Sequence, residues 1–200
     1  MNNTNSSKQI LVSILGVAIL IVAVVGISFA AFSYSKTGTT TNTITTGTIT
    51  MSYTEPTNGI NLTDALPISD TAGKALTGTN NVFDFTVATT VKGTATISYA
   101  ITAVKDSASN VADAGVKVYL TDQKDAQILA PTKISALTKT ASNEASGAPT
   151  GQYILKTGTV TASTTTAYRL RMWVADDYAA PSTSQKYILK VNVYGKANAQ

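Results

Sequence analysis

The chain has 200 residues, a formal charge of +4, and neither cysteine nor histidine. Without cysteine it has no disulfides and no thiolate metal or redox sites; without histidine it has no Ser-His-Asp triad, no His-Glu-x-x-His zinc centre and no imidazole base. The positive charge is spread over isolated lysines and two arginines, Arg169 and Arg171, and no basic run alternates with aromatics, which speaks against a nucleic-acid interface.

The first element is the apolar stretch Ile10–Ala31, ILVSILGVAILIVAVVGISFAA. It holds 22 residues with no charge and no proline, and 14 of them are Ile, Leu, Val or Phe. As a helix it would rise to about 33 Å, against a hydrocarbon core of about 30 Å. Ile10–Ala31 is therefore expected to enter a membrane. Lys8 and the α-amino group favour a cytoplasmic N-terminus, which puts the rest of the chain on the extracellular side. Ser28-Phe29-Ala30 fits the small-x-small pattern read by signal peptidase, with cleavage between Ala30 and Ala31. The stretch is longer than a usual signal core of about 7–15 residues, so a retained anchor and a cleaved signal both remain open.

After Ala31 the composition changes. Threonine, 34 copies in the chain, becomes the dominant polar residue. It is β-branched and suits the wet face of a sheet. Phe32–Gly47, FSYSKTGTTTNTITTG, reads as a polar linker or an N-terminal strand. Thr48–Tyr53 alternates, with Ile49, Met51 and Tyr53 on one face. A turn follows at Glu55-Pro56-Thr57-Asn58-Gly59, then an extended piece, Ile60-Asn61-Leu62. Leu66-Pro67-Ile68-Ser69-Asp70 leads into a loop running through Gly78 to Asn81.

Val82–Val87 is a strand with Phe83, Phe85 and Val87 on one face. Thr94–Val104 is the longest clean alternation, and Asp106–Gly115 is a polar hairpin loop. Val116–Leu120 is another strand. Ile128–Leu137 is ambiguous because of Pro131. Thr138–Gly151 is small and polar and is expected to be mobile. Tyr153–Val160, Tyr168–Val174 and Tyr187–Val193 complete the strands, with Arg169, Arg171 and Trp173 opposite the apolar face of their strand. Beyond Ala31 no segment shows a helical period of helix length. The expected class is all-β, a single β-sandwich or jelly-roll domain preceded by one N-terminal membrane-spanning or signal helix. The expected organisation is 1–31 anchor or signal, 32–47 linker or strand, and 48–200 extracellular domain.

Three sets of side chains invite a functional reading. Asp64 and Asp70 flank one loop and Asp176 and Asp177 follow a strand, but no Asp-x-Asp-x-Asp-Gly calcium loop is present. Solvated or structural carboxylates are the expectation, with no metal or cofactor. Trp173 and Tyr178 are candidates for an exposed aromatic surface that binds a sugar or a partner strand. No Lys–Asn pair beside an acid identifies an isopeptide bond.

The junction SFAAFSYSKTGTTTNTITTGTITMSY, the segment INLTDALPISD followed by FDFTV, and the later TISYAI and YRLRMWV together resemble the TasA/camelysin family of Gram-positive surface and biofilm-matrix proteins. The resemblance implies a dedicated signal peptidase, a jelly-roll domain, and fibres built by strand exchange, in which the freed N-terminal segment of one subunit adds a strand to the next. On this chain Ala31–Gly47 would be the donor, with Phe32, Tyr34 and Ile44 as its anchors; a flexible tether is the other reading of the same residues. Some members carry a metalloprotease label, which the histidine-free composition does not support. The expectation is a non-enzymatic extracellular structural protein that self-associates into fibres. The alternative is a membrane-anchored adhesin or binding module that recognises glycan or a surface protein through its loops.

Overall fold

The computed structural model describes residues 60–198 apart from 79–80, 92–94 and 180–183, together with the strand backbones at 33–37, 42–46 and 49–54 and the side chain of Met51. The expected helix Ile10–Ala31, the junction Ala30–Ala31 and Phe32 lie outside the described residues. Among the described residues no helix is long and apolar enough to cross a membrane.

These residues form two curled sheets packed face to face, a mostly-β, sandwich-like domain. One sheet contains β1 (Ser33–Thr37), β4 (Ile60–Thr63), β7 (Thr96–Lys105), β10 (Tyr153–Val160) and β12 (Lys186–Asn198). Its axis is the antiparallel β7–β12 pair, in register from Leu189↔Lys105 to Asn198↔Thr96. β10 lies outside β7. On the far side of β12, β4 and β1 sit end to end, β4 against Lys186–Leu189 and β1 against residues 192–196.

The second sheet runs β2 (Asn42–Thr46), β3 (Ile49–Thr54), β6 (Val82–Val91), β11 (Thr164–Ala175), β8 (Val116–Asp122), β9 (Gln127–Lys133), with the two-residue β5 (Pro67–Ile68) parallel to the end of β11. The core lies where the inner rows meet: Phe83, Phe85 and Val87 of β6, Tyr168, Leu170 and Met172 of β11, Ile97 and Ile101 of β7, and Leu189, Val191 and Val193 of β12. Alternation places these rows, because side chains two apart share a face. A buried Leu, Ile, Val or Phe contributes about 1.5–3 kcal/mol, so four such rows give a substantial core.

The expected strands are present, and most extend further than the apolar pattern alone requires. β6 continues to Val91 and β11 begins at Thr164, because backbone pairing carries on through Thr86↔Ala167 and Thr89↔Thr164. Ile128–Leu137 resolves into an edge strand, β9, and a 3₁₀ turn at Ile134–Ala136. Ala130 and Pro131 fall in a register shift between Val118↔Thr132 and Leu120↔Leu129, where a residue without an N–H costs no ladder bond.

Three expectations are corrected. Asp106–Gly115, expected as a hairpin loop, instead crosses from β7 in the first sheet to β8 in the second and carries a 3₁₀ turn at Asp113–Gly115, because each of these strands finds its antiparallel partners elsewhere in the chain. The stretch after Leu66 contains a short helix, α1 (Asp70–Lys74), started by Ser69, whose hydroxyl accepts the Ala72 N–H at 3.3 Å. Residues 138–151, expected to be mobile, are folded onto the outer face of the first sheet. There the Thr140 amide donates to the Gln152 carbonyl at 2.8 Å and the Gly151 amide to the Thr140 carbonyl at 2.9 Å. Ala148 packs with Ala100 and Tyr194 in a small second core. Tyr194, which alternation turns away from the main core, is thereby buried.

Candidate functional site

The N-terminal segment supplies edge strands to both sheets. Tyr34 holds the register position opposite Gly195, and Ile44 the position opposite Met51. Gly195 lies under the end of the Met51 side chain: a Cβ there would meet the methionine Sδ at 2.6 Å, so a larger residue would have to push that flexible thioether aside. On the other face of β12 Asn192 is buried, its Oδ1 without a partner among the described residues, while its Nδ2 donates to Gln152 at 3.4 Å. This part of β12 depends on β1 to satisfy its outer backbone groups. Antiparallel pairing contributes about 0.5–1.5 kcal/mol net per hydrogen bond.

Trp173 does project from the outer face of its strand, but it is not exposed. It is 1% accessible, because α1 lies across it with Gly73 against the indole ring. That cover removes Trp173 as a surface for a ligand. Among the described residues its buried Nε1–H has no hydrogen-bond partner, and an unmet buried donor costs about 1–3 kcal/mol. Tyr178 is half-buried, its ring stacked on Gly115 and against the core, so the two aromatics do not form an open platform. Sequence alternation assigns the side of the sheet correctly and says nothing of a second layer above it.

The four candidate carboxylates are held by the protein itself. Asp70 and Asp176 lie 2.8 and 3.6 Å from the Lys117 ammonium, and Asp177 lies 2.6 Å from Lys133. Asp64, at positive φ, accepts from the Gln185 amide at 2.8 Å and then the Ser184 hydroxyl at 2.9 Å, which lowers its carboxyl below the ordinary range. Among the described residues no three metal-binding side chains converge.

An ionisable cluster around Asp113 was not legible in the sequence. Asp113 accepts from the Tyr153 and Tyr187 hydroxyls and lies 3.0 Å from Lys105, which also donates to the Val111 carbonyl at 2.7 Å. It thus joins the loop before β8 to β10, β12 and β7. Burial opposes its charge, yet the hydrogen bonds from Tyr153, Lys105 and Tyr187 outweigh burial and hold the carboxyl below its ordinary value. Burial, and then the Asp113 hydrogen bond and charge, push Tyr153 up to about 12. Burial and the same carboxylate push Tyr187 up as well. These residues are far apart in sequence, and only their meeting at one end of the first sheet makes the cluster.

The described residues also leave a groove of about 470 Å³ between β10 and the ends of β8, β9 and β11. Tyr99, Ile128 and Tyr168 line it together with Asp122, Lys156 and the Thr164 and Thr166 hydroxyls. Burial and the neighbouring Tyr99 hydroxyl push the Tyr168 phenol up. The groove mixes two tyrosine rings and aliphatic side chains with threonine, lysine and aspartate. The chain matches no protein-family model and no curated protein.

Proposed function

We propose that the chain is a non-enzymatic extracellular structural protein of the TasA/camelysin kind. In this reading a jelly-roll domain is delivered across a membrane by Ile10–Ala31, and after signal peptidase action it assembles into fibres by strand exchange. The observation that supports it is the placement of Ser33–Thr37: a short edge strand covers residues 192–196 of β12 and leaves a vacant five-position ladder if it swings out. The same strand from a second copy has the register and side-chain pattern to fill that ladder. Repeated head-to-tail, the exchange does not close and yields a filament. A retained helix would instead leave a surface-anchored domain.

The first experiment is the intact mass and N-terminal sequence of the protein from membrane and medium separately. A start at Ala31 in the medium, followed by polymerisation that deletion of residues 31–47 abolishes, is the expected result. A full-length chain found only in the membrane overturns the exchange reading. The alternative, an anchored binding module for glycan or a surface protein, is favoured by the groove beside Tyr99 and Tyr168. It calls for a monomer that keeps its ligand after the same deletion.

A further inference from the structure

The edge of β10 is divided in two. Its start is covered by residues 138–140, with the Ile154 amide donating to the Thr138 carbonyl at 2.9 Å. From Lys156 to Val160, no strand lies beyond it among the described residues. A bulge separates the halves: Ile154 pairs with Thr102 and Lys156 with Ile101, so Leu155 is an extra residue. A bulge of this kind re-aims the side chain that follows it. Lys156, Gly158 and Val160 therefore stand opposite Ile101, Tyr99 and Ile97, all on the core-facing row of β7. A lysine occupies the inner face of an open strand edge, half-buried, in the wall of the groove.

Among the described residues no carboxylate lies within ion-pair distance of that ammonium. Asp122 lines the same groove; its Oδ1 accepts the amides of Lys124 and Ala126, each at 2.8 Å, and no ion pair joins its carboxylate to Lys156. A strand added here would gain backbone hydrogen bonds whatever its sequence. It would also desolvate Lys156, which is unfavourable unless the strand brings a negative charge. The chain's own N-terminal strands, SYSKT and NTITT, carry no acid, and Lys36 would repel.

We propose that the open half of β10, with the groove beside it, docks an extended segment of a different protein that presents an Asp or Glu side chain to Lys156. This site is separate from the β1–β12 edge and does not rest on the strand-exchange reading. Its partner is an acidic strand from another protein, whereas that edge takes a second copy.

The test uses the full chain in detergent micelles and three labelled peptides, Thr-Val-Thr-Val-X-Val-Thr-Val-Thr with X as Asp, Asn or Lys, followed by fluorescence anisotropy. The Asp peptide is expected to bind at least about tenfold more tightly than the Asn peptide, the Lys peptide most weakly, with amide shifts confined to residues near 156–160. Lys156→Glu should transfer the preference to the Lys peptide, and Lys156→Gln should erase it; the Gln variant decides if the Glu variant does not fold. Equal binding of the Asp and Asn peptides, or a preference unchanged in Lys156→Gln, overturns the proposal. So does a Lys156→Val chain that self-associates while no peptide binds the native one, which would make Lys156 a guard of the edge only.

Discussion

Gly73 and Trp173 provide the sharpest check on the layer that covers the second sheet. A Cβ at Gly73 would sit 2.3–2.8 Å from three atoms of the indole, where ordinary contact begins near 3.4 Å. Gly73→Ala must therefore lift α1 by about 1 Å or displace the ring. Such overpacking costs about 1–3 kcal/mol. Alanine returns up to about 1 kcal/mol of helix propensity, and less in a helix of five residues. The overlap wins by about 1–2 kcal/mol, which lowers Tm by about 2–8 °C in a chain of this size. Trp173 is the chain's single tryptophan, so its emission reports on the surroundings of that indole, α1 among them. The native spectrum should be blue and poorly quenched by acrylamide; Gly73→Ala should shift it red and raise the quenching. Native-like emission together with an unchanged or higher Tm would refute the packing of α1 on Trp173.

The Asp113 cluster should govern acid stability. Its folded carboxyl lies below the unfolded value of 3.8, so its contribution is present above that pH and lost as pH falls through the folded value. The urea midpoint of the native chain should drop more between pH 5 and pH 3 than that of Asp113→Asn, which is already destabilised by about 1–3 kcal/mol at pH 5. At the alkaline end, Tyr153 is raised from 10.0 to about 12, so its share of stability is lost as pH climbs through that interval; absorbance at 295 nm should titrate late for this residue. Arg171→Ala should lower Tm more than Arg169→Ala. Arg171 is buried and donates to the Leu76 carbonyl at 3.0 Å as well as to Asp125, whereas Arg169 pairs with Asp84 in partial contact with solvent. Gln152→Ala should make residues 141–150 sensitive to limited proteolysis, because Gln152 accepts from Thr102 at 2.5 Å and donates to Tyr194 at 2.8 Å beneath that segment. Resistance equal to the native chain would refute that role.

Strand class was readable wherever a period of two ran against a polar face, as in FDFTV and YRLRMWV. Those rows now form the core in the expected orientation. Local chemistry also marked where some strands end, as at Asp106 after β7 and Asp176 after β11, because Asp, Asn, Gly and Pro act through nearby backbone. Composition alone excluded histidine and cysteine chemistry, since no fold supplies an absent side chain.

What alternation could not reach were long-range contacts. Trp173 sits on the outer side of its strand, as its position requires, yet a helix begun by Ser69 about a hundred residues earlier covers it. Residues 138–151 read as loose because they are small and polar. Their order comes from hydrogen bonds to each other and to Gln152, above Ala100 and Tyr194 on other strands. Plain counting from Tyr153 puts Lys156 outside. A single extra residue at Leu155 turns it inward, because the period of two lets one bulge reverse every side chain beyond it. Side-chain pattern is a property of neighbours in the chain and survives in the sequence. Register, cover and the company of a buried charge are set by strands that meet only after folding.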